Sequence, residues 1–381
     1  MSKVYIVGIG MTEFGKFIDK SVTELAREAV DEALVDSELG PGDIQAAFFS
    51  NTAQGTVEGQ HLVRGQIALR GVGLGSIPVI NVENACASAS TALNAAVAYI
   101  ASGQGDVALA IGAEKMNATD RAKSFAIFDG AWDVHDTDAA ISRLTALGKD
   151  LPLPAGAGQN SGVRSVFMDI YASLARYHMK RFGTTQADIA AISAKNHTHS
   201  ARNPKAQYRN AMTTEEVLAA REISWPLTLP MCAPISDGAA AAIVCSETKL
   251  RQLGSTRAIR IAASVIRSGS DRAADDLDRP LCRLAADQAY NIAGLGPQDV
   301  SVAEVHDASA FAELQQSELL RFCDFGEGGQ LAREGATTFG GRIPINVSGG
   351  LESRGHPIGA TGLAQIYELV TQLRHEAKDR Q

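Results

Sequence analysis

The chain has 381 residues, 45 % of them hydrophobic and 20 % charged, and 43 acidic against 35 basic residues give a formal net charge of −8. This length accommodates two fused units and an insertion around a large core. The mild negative charge without a basic stripe argues against a nucleic-acid partner, and no apolar run reaches membrane-spanning length. Five scattered cysteines form no close-spaced pair, so no metal site is expected.

Residues 1–7 are short and run straight into glycine, which predicts a first strand and not a signal peptide. A helix follows from Leu25-Ala26, then a turn through Leu39-Gly40-Pro41-Gly42-Asp43 and a strand over 46–51. Residues 78–82 read as another strand and 87–96 as a helix of small residues, with Cys86 at the junction. A thiol there meets the positive end of the helix. Free cysteine has a pKa of about 8.5 and a helix N-terminus lowers it, so the position predicts a thiolate able to attack a carbonyl or thioester carbon. On this feature alone a buried apolar cysteine is an equally open reading. A strand over 107–112 comes next, and from about 119 to 230 the pattern breaks into a polar, Gly/Pro-containing stretch with a helical run over 168–181. Residues 236–245 return as a buried strand.

From about residue 256 the chain repeats itself. Leu284-Ala285 to Leu295-Gly296-Pro297-Gln298-Asp299-Val300 echoes the first helix, turn and strand. Ile345-Asn346-Val347 before Thr361-Gly362-Leu363 echoes Ile80-Asn81-Val82 before Thr91-Ala92-Leu93, with five extra residues that include Gly355-His356-Pro357. A duplicated αβ unit places equivalent strand-to-helix turns near a pseudo-two-fold axis, so Cys86 and His356 are expected at one site. The strand over 300–305 ends at His306-Asp307-Ala308-Ser309. Ligands of α/β sheets sit at such strand ends. One cysteine and two histidines there form an acyl-transfer constellation.

These pieces together resemble a thiolase, and within that family the sterol-carrier-protein-2 (SCP2) type. The resemblance is carried by 7–12, by 81–90 around Cys86, and by Lys195-Asn196-His197-Thr198-His199-Ser200 with Asn203-Pro204. It continues through 236–243, Glu304-Val305-His306-Asp307, Ser348-Gly349-Gly350 and the long block Gly355-His356-Pro357-Ile358-Gly359-Ala360-Thr361-Gly362. It implies an α/β thiolase fold: duplicated βαβαβαββ halves in a layered α-β-α-β-α arrangement with an inserted loop domain. The expected division is 1–118 plus 231–255 for the N-terminal half, 119–230 for the loop domain, and 256–381 for a C-terminal half lacking its last strands.

The resemblance also implies the chemistry. Cys86 would carry the acyl group as a thioester, and His356 would take the thiol proton and help hold the oxyanion. His306 would replace the asparagine that most thiolases place in an oxyanion hole, with the Cys86 N–H serving the other hole. The implied function is an acyl-CoA acyltransferase cleaving or forming 3-oxoacyl-CoA, with coenzyme A and acyl-CoA as substrates and no permanently bound cofactor. A homodimer or dimer of dimers is expected, with no nucleic-acid or membrane partner. A nucleophilic thiol needs reducing conditions, which places the protein in the cytoplasm.

Two departures from the family keep other readings open. Where SCP2-type members continue His-Asp-Cys-Phe, with the cysteine as second acid/base, this chain has Ala308 and Ser309. The helix from Leu363 runs to Arg374 and the sequence stops at Gln381, about where the resemblance implies two further strands and a glycine-rich loop that completes the oxyanion hole. Central strands lost from a buried sheet would leave backbone groups unpaired, so the natural chain is expected to continue beyond Gln381. A subunit that binds acyl-CoA or a small OB-fold partner protein, or an aldolase acting on acyl-CoA thioesters, is the alternative. Cys232, Cys245, Cys282 and Cys323 are expected to be packing residues. Lys195, His197, His199, Arg202 and Lys205 are expected either to meet phosphates or to form a solvated loop face.

Overall fold

The computed structural model describes residues 3–149, 151–158, 164–273 and 275–381. They divide into two compact units: Met1–Ile127 with Ile235–Ile266 and Gly355–Gln381, and Phe128–Pro234 with Arg267–Arg354.

The first unit is built on a six-stranded mixed sheet. Strands β1 (Val4–Met11), β2 (Ala46–Ser50), β3 (Val79–Val82) and β4 (Val107–Glu114) are joined by Gly238–Ser246 and Ile259–Arg260, in the order β3, β2, β4, Gly238–Ser246, β1, Ile259–Arg260. β2 pairs in parallel with both β3 and β4, whereas Gly238–Ser246 runs antiparallel to β4 and β1. Every residue of β2 and β4 is buried. The cause is visible in two apolar clusters. One packs α1 (Val22–Ser37) and Leu69 of a later helix on one face, through Leu25, Ala29, Leu34, Phe49 and Leu109. The other packs a helix after Cys86 and the helix Thr361–Leu373 on the opposite face, through Phe48, Ala92, Ala110, Ala242 and Leu363. Strands covered on both faces read as continuous small apolar runs, as Ala239-Ala240-Ala241-Ala242 does.

α1 starts with a capping box in which Ser21 Oγ accepts from Glu24 N and Glu24 Oε2 accepts from Ser21 N, a device worth about 1 kcal/mol. Its axis comes very close to β1, since a Cβ on Gly10 would overlap the Ala29 carbonyl oxygen. Two short helices follow β2, α2 (Gln54–Glu58) and α3 (Arg64–Arg70), and α4 (Ser88–Ala101) follows β3.

The second unit holds the helices Val166–Phe182, Gln186–Ser200 and Ala310–Leu319 around Ala172, Ile189, Ile192, Leu227, Phe311 and Leu314. The helix–turn repeat recurs in it locally. Leu281–Ala293 ends on Gly294 at φ 69°, and Asp299 Oδ2 accepts from Gly296 N, as Asp43 Oδ2 accepts from Gly40 N in the first unit. The strands expected over 300–305 and 345–347 reduce to a single bridge, Ala303 to Ile345. Ala303 N donates to Pro344 O and Asn346 N to Ala303 O, but the next ladder position is taken by the Asn346 side chain, whose Oδ1 accepts from Val305 N at 2.8 Å. Asn346 has φ 54°, which turns the chain out of extended conformation and ends the pairing.

Candidate active site

The turn that presents Cys86 is set by its neighbours. After β3 the chain enters a 3₁₀ turn, Ala85–Ala87, before α4. Ala85 has φ 45°, a left-handed conformation costing roughly 1–2 kcal/mol for a residue with a Cβ. Three bonds hold it there: Ala85 N donates to Glu83 Oε1 at 2.7 Å, Asn84 N donates to Ser88 Oγ at 2.8 Å, and Ser88 Oγ donates to Ala85 O at 2.7 Å. Cys86 is half-buried on this turn.

The electrostatics of the thiol reverse the sequence expectation. Burial pushes the Cys86 pKa up to about 11, and the charges of Glu114 and Glu83 raise it further, against a lowering from its own backbone N–H. Desolvation of a thiolate outweighs the helix end. The resting group at neutral pH is therefore the thiol, which needs a base to react.

His356 lies beside it in the same unit. A ring nitrogen of His356 and Cys86 Sγ lie within 4.8 Å of each other. The backbone at His356 is fixed by a parallel bridge to Ile235 and by its N–H donating to Ser236 Oγ at 2.9 Å. Its Nδ1 is 2.7 Å from Thr361 Oγ1, and that hydroxyl donates to Pro357 O at 2.9 Å. A hydroxyl has one proton, so Thr361 accepts from Nδ1–H, and Nε2 becomes the nitrogen that takes a proton. Gly359, further along the loop, donates its N–H to Glu114 Oε2 at 2.9 Å and accepts from Ser50 Oγ. Gly112 has no side chain where this loop meets β4, and a Cβ there would overlap the Gly359 carbonyl oxygen.

His306 belongs to the second unit, after the Ala303 bridge. Burial lowers its pKa to about 4, so the imidazole is neutral at pH 7 and able to donate a hydrogen bond without carrying charge. Its neighbour Asp307 accepts from Leu351 N at 2.7 Å, and Gly350, at φ 63°, leaves the space that this carboxylate fills. Ala308 is buried, its carbonyl accepting from Ala233 N at 3.0 Å, and Ser309 caps the helix Ala310–Leu319. The cysteines outside the turn carry free thiols. Cys245 lies in the first core, and Cys232 Sγ donates to Thr228 O at 3.4 Å.

The 195–205 segment departs from expectation. Lys195, His197 and His199 are buried on the helix Gln186–Ser200, neither on a solvated loop face nor turned to phosphates. Lys195 Nζ donates to Glu313 Oε1 at 2.5 Å and to Ile345 O at 2.7 Å. Asn196 Nδ2 donates to Glu313 Oε2 and Glu352 Oε1, and His199 Nδ1 lies 3.0 Å from Asn346 O. These polar groups are spent on one another inside the unit, a pattern that residue type alone does not separate from an anion-binding face. Arg202, past the helix, is exposed and lies over the Phe339 ring at 4.9 Å.

Sequence reasoning also missed Thr361 and Glu114. Thr361 sits inside a motif it had singled out, five residues after His356. Glu114 is a carboxylate at the end of an apolar strand, a placement that itself marks an anomaly.

The family model for the thiolase N-terminal domain matches residues 4–218, and the thiolase C-terminal domain-like model matches residues 263–381. The chain is 37 % identical over 379 residues to the benzoylsuccinyl-CoA thiolase subunit BbsB of Thauera aromatica, covering 98 % of this chain and 90 % of that protein. It is 36 % identical to an acetyl-CoA acetyltransferase of Methanothermobacter thermautotrophicus, over 100 % of this chain and 93 % of that protein. It is 34 % identical to sterol carrier protein 2 of Oryctolagus cuniculus, over 100 % of this chain and 68 % of that protein. Among solved structures it is similar to an Ltp2-ChsH2(DUF35) aldolase, with a TM-score of 0.78 and 27 % identity over 99 % of this chain and 91 % of that one. With matches at both ends and relatives aligned along its whole length, this chain belongs to the thiolase family of acyltransferases and has the thiolase fold.

Proposed function

We propose that the protein is an acyl-CoA acyltransferase of the SCP2-thiolase type, cleaving or forming 3-oxoacyl-CoA through an acyl group carried on Cys86. The observation that carries the reading is Cys86 Sγ within 4.8 Å of a ring nitrogen of His356, whose Nδ1 is held by Thr361, with burial pushing the thiol pKa up. Because the thiol is not ionised at rest, proton transfer accompanies attack. His356 Nε2 takes the Sγ proton as the S–C bond to the thioester carbonyl forms, and gives it to the departing coenzyme A thiolate as the old C–S bond breaks. His306 and the Cys86 backbone N–H are assigned to the two oxyanion positions on the family resemblance, and the neutral state of His306 suits a donor of this kind. A second acyl acceptor then takes the acyl group, and coenzyme A serves as substrate with no resident cofactor.

The wider reading follows the same lines. A three-part organisation of 1–118 plus 231–255, 119–230 and 256–381 suits the recurrence of the helix–turn unit. Assembly as a homodimer or dimer of dimers is supported by β3, an edge strand with Ile80 42 % exposed, and by exposed Leu62, Val63 and Ile67 nearby. Among the described residues no helix is long and apolar enough to cross a membrane. A reducing, cytoplasmic setting and a role in lipid metabolism suit a working thiol and an acyl-CoA substrate.

One observation favours a second reading, an aldolase acting on acyl-CoA thioesters with a small OB-fold partner. It is the likeness to the Ltp2-ChsH2(DUF35) aldolase together with alanine at 308, which cannot move a proton. Intact-mass spectrometry after incubation with acetyl-CoA separates the two. The transferase reading requires one acetyl mass on Cys86, absent from Cys86→Ala with its fold intact. An acetylated cysteine in that variant, or none in the wild type, overturns it.

A further inference from the structure

We propose that Glu114 is a positioning residue of the reaction: its buried carboxylate clamps the loop carrying His356 to the end of β4 and sets a negative charge against Cys86. The inference rests on Cys86 and His356 as the reacting pair.

Glu114 is fully buried at the last position of β4, where a carboxylate needs compensation. Four N–H donors supply it. Asn51 Nδ2 at 2.8 Å and Ala53 N at 2.9 Å donate to Oε1, while Thr52 N and Gly359 N, each at 2.9 Å, donate to Oε2. Three donors come from the segment after β2, and the fourth comes from the His356 loop, 245 residues away in sequence. The amide side chain of Asn51 extends the arrangement, because its Oδ1 accepts from Arg64 Nη1 at 2.9 Å while its Nδ2 also donates to Ala113 O. Every partner on the carboxylate is a donor, so the ionised form fits. Burial holds its pKa up at about 7, and the backbone donors and Arg64 pull the other way.

Two effects follow from one group. The Gly359 bond fixes the chain three residues past His356, between that residue and Thr361, and so helps hold the imidazole. The charge works on the thiol: Glu114 and Glu83 are the acidic groups that raise the Cys86 pKa, with His356 the titratable neighbour across from it. Glu114 thereby adds to the burial that holds Cys86 as a thiol, and His356 accepts the proton during attack.

Charge and reach separate in two variants. Glu114→Gln removes the charge and turns an NH₂ toward N–H donors. Its Cys86 should be half-alkylated by iodoacetamide at a lower pH than in the wild type. It should acylate from acetyl-CoA about 10- to 100-fold more slowly as the His356 loop shifts, and exchange the Gly359 amide faster. Glu114→Asp keeps the charge and shortens the reach by one methylene, so the alkylation profile should stay in place while acylation and amide protection fall. A purely structural role would slow both variants alike and leave both alkylation profiles unmoved, which overturns the proposal. If the Gln variant does not fold, the Asp variant decides: wild-type acylation and exchange overturn the clamp. Alkylation and exchange need no acyl-enzyme, so a wild-type Cys86 that never acetylates refutes the thioester reading without deciding this one.

Discussion

Replacing Thr361 by valine tests the proton path at its least conspicuous member. The side chain is fully buried and valine is nearly isosteric, so packing changes little. Only the hydroxyl 2.7 Å from His356 Nδ1 is lost. Pro357 O, which that hydroxyl also serves, still accepts from Ala360 N at 2.9 Å and Thr361 N at 3.0 Å, so no carbonyl is orphaned. What disappears is the acceptor that steadies Nδ1–H while Nε2 takes the thiol proton and the ring becomes cationic. A hydrogen bond to a charged group contributes about 1.5–3 kcal/mol, which at about 1.4 kcal/mol per factor of ten gives a loss of roughly 10- to 150-fold in acylation rate. The assay is single-turnover release of coenzyme A from acetyl-CoA, read beside intact mass. Thr361→Ser should recover most of the rate, since it restores the oxygen and not the methyl group. A valine variant within twofold of the wild type, or a serine variant as slow as valine, refutes the assigned tautomer.

His356→Ala should slow acylation by about 10² to 10⁴, the usual range for a lost general base; an unchanged single-turnover rate would remove His356 from the site. Ala308→Cys should raise steady-state condensation relative to burst acylation, because the SCP2-type resemblance implies a second acid/base cysteine at this position, and an unchanged ratio in a wild type that already condenses rapidly would place that proton carrier elsewhere. His199 should make the protein acid-sensitive. Burial, then the Lys195 charge, lowers its pKa to about 3. The unfolded chain takes a proton near the ordinary 6.5 that the folded one refuses, so this stability is complete above about pH 6.5 and is lost as pH falls toward 3. Between pH 7.5 and 5 the wild type should lose about 2 kcal/mol more than His199→Leu in urea unfolding; equal losses would refute the assignment.

Much of this protein was legible as sequence because its signals are local. Continuous small apolar runs marked the strands at 107–112 and 236–245, and the structure forms them as Val107–Glu114 and Gly238–Ser246, covered on both faces. The repeat of Gly-Pro-x-Asp after each helix showed the duplicated unit, since that turn is closed by residues three apart. Cys86 stood out at a strand-to-helix junction, and His356 within a long motif. The tertiary structure decided the rest. Whether Cys86 rests as thiol or thiolate turned on burial, with the Glu114 charge, carried on a different strand, adding to it. Lys195 and His199 looked like a cationic surface but are internal, because their partners Glu313 and Asn346 lie more than a hundred residues away. The expected strands at 300–305 and 345–347 shrank to one bridge when the Asn346 backbone turned left-handed. Residue order carries periodicity and turn chemistry, which act over a few residues; desolvation and charge act through space, and only the folded chain fixes those distances.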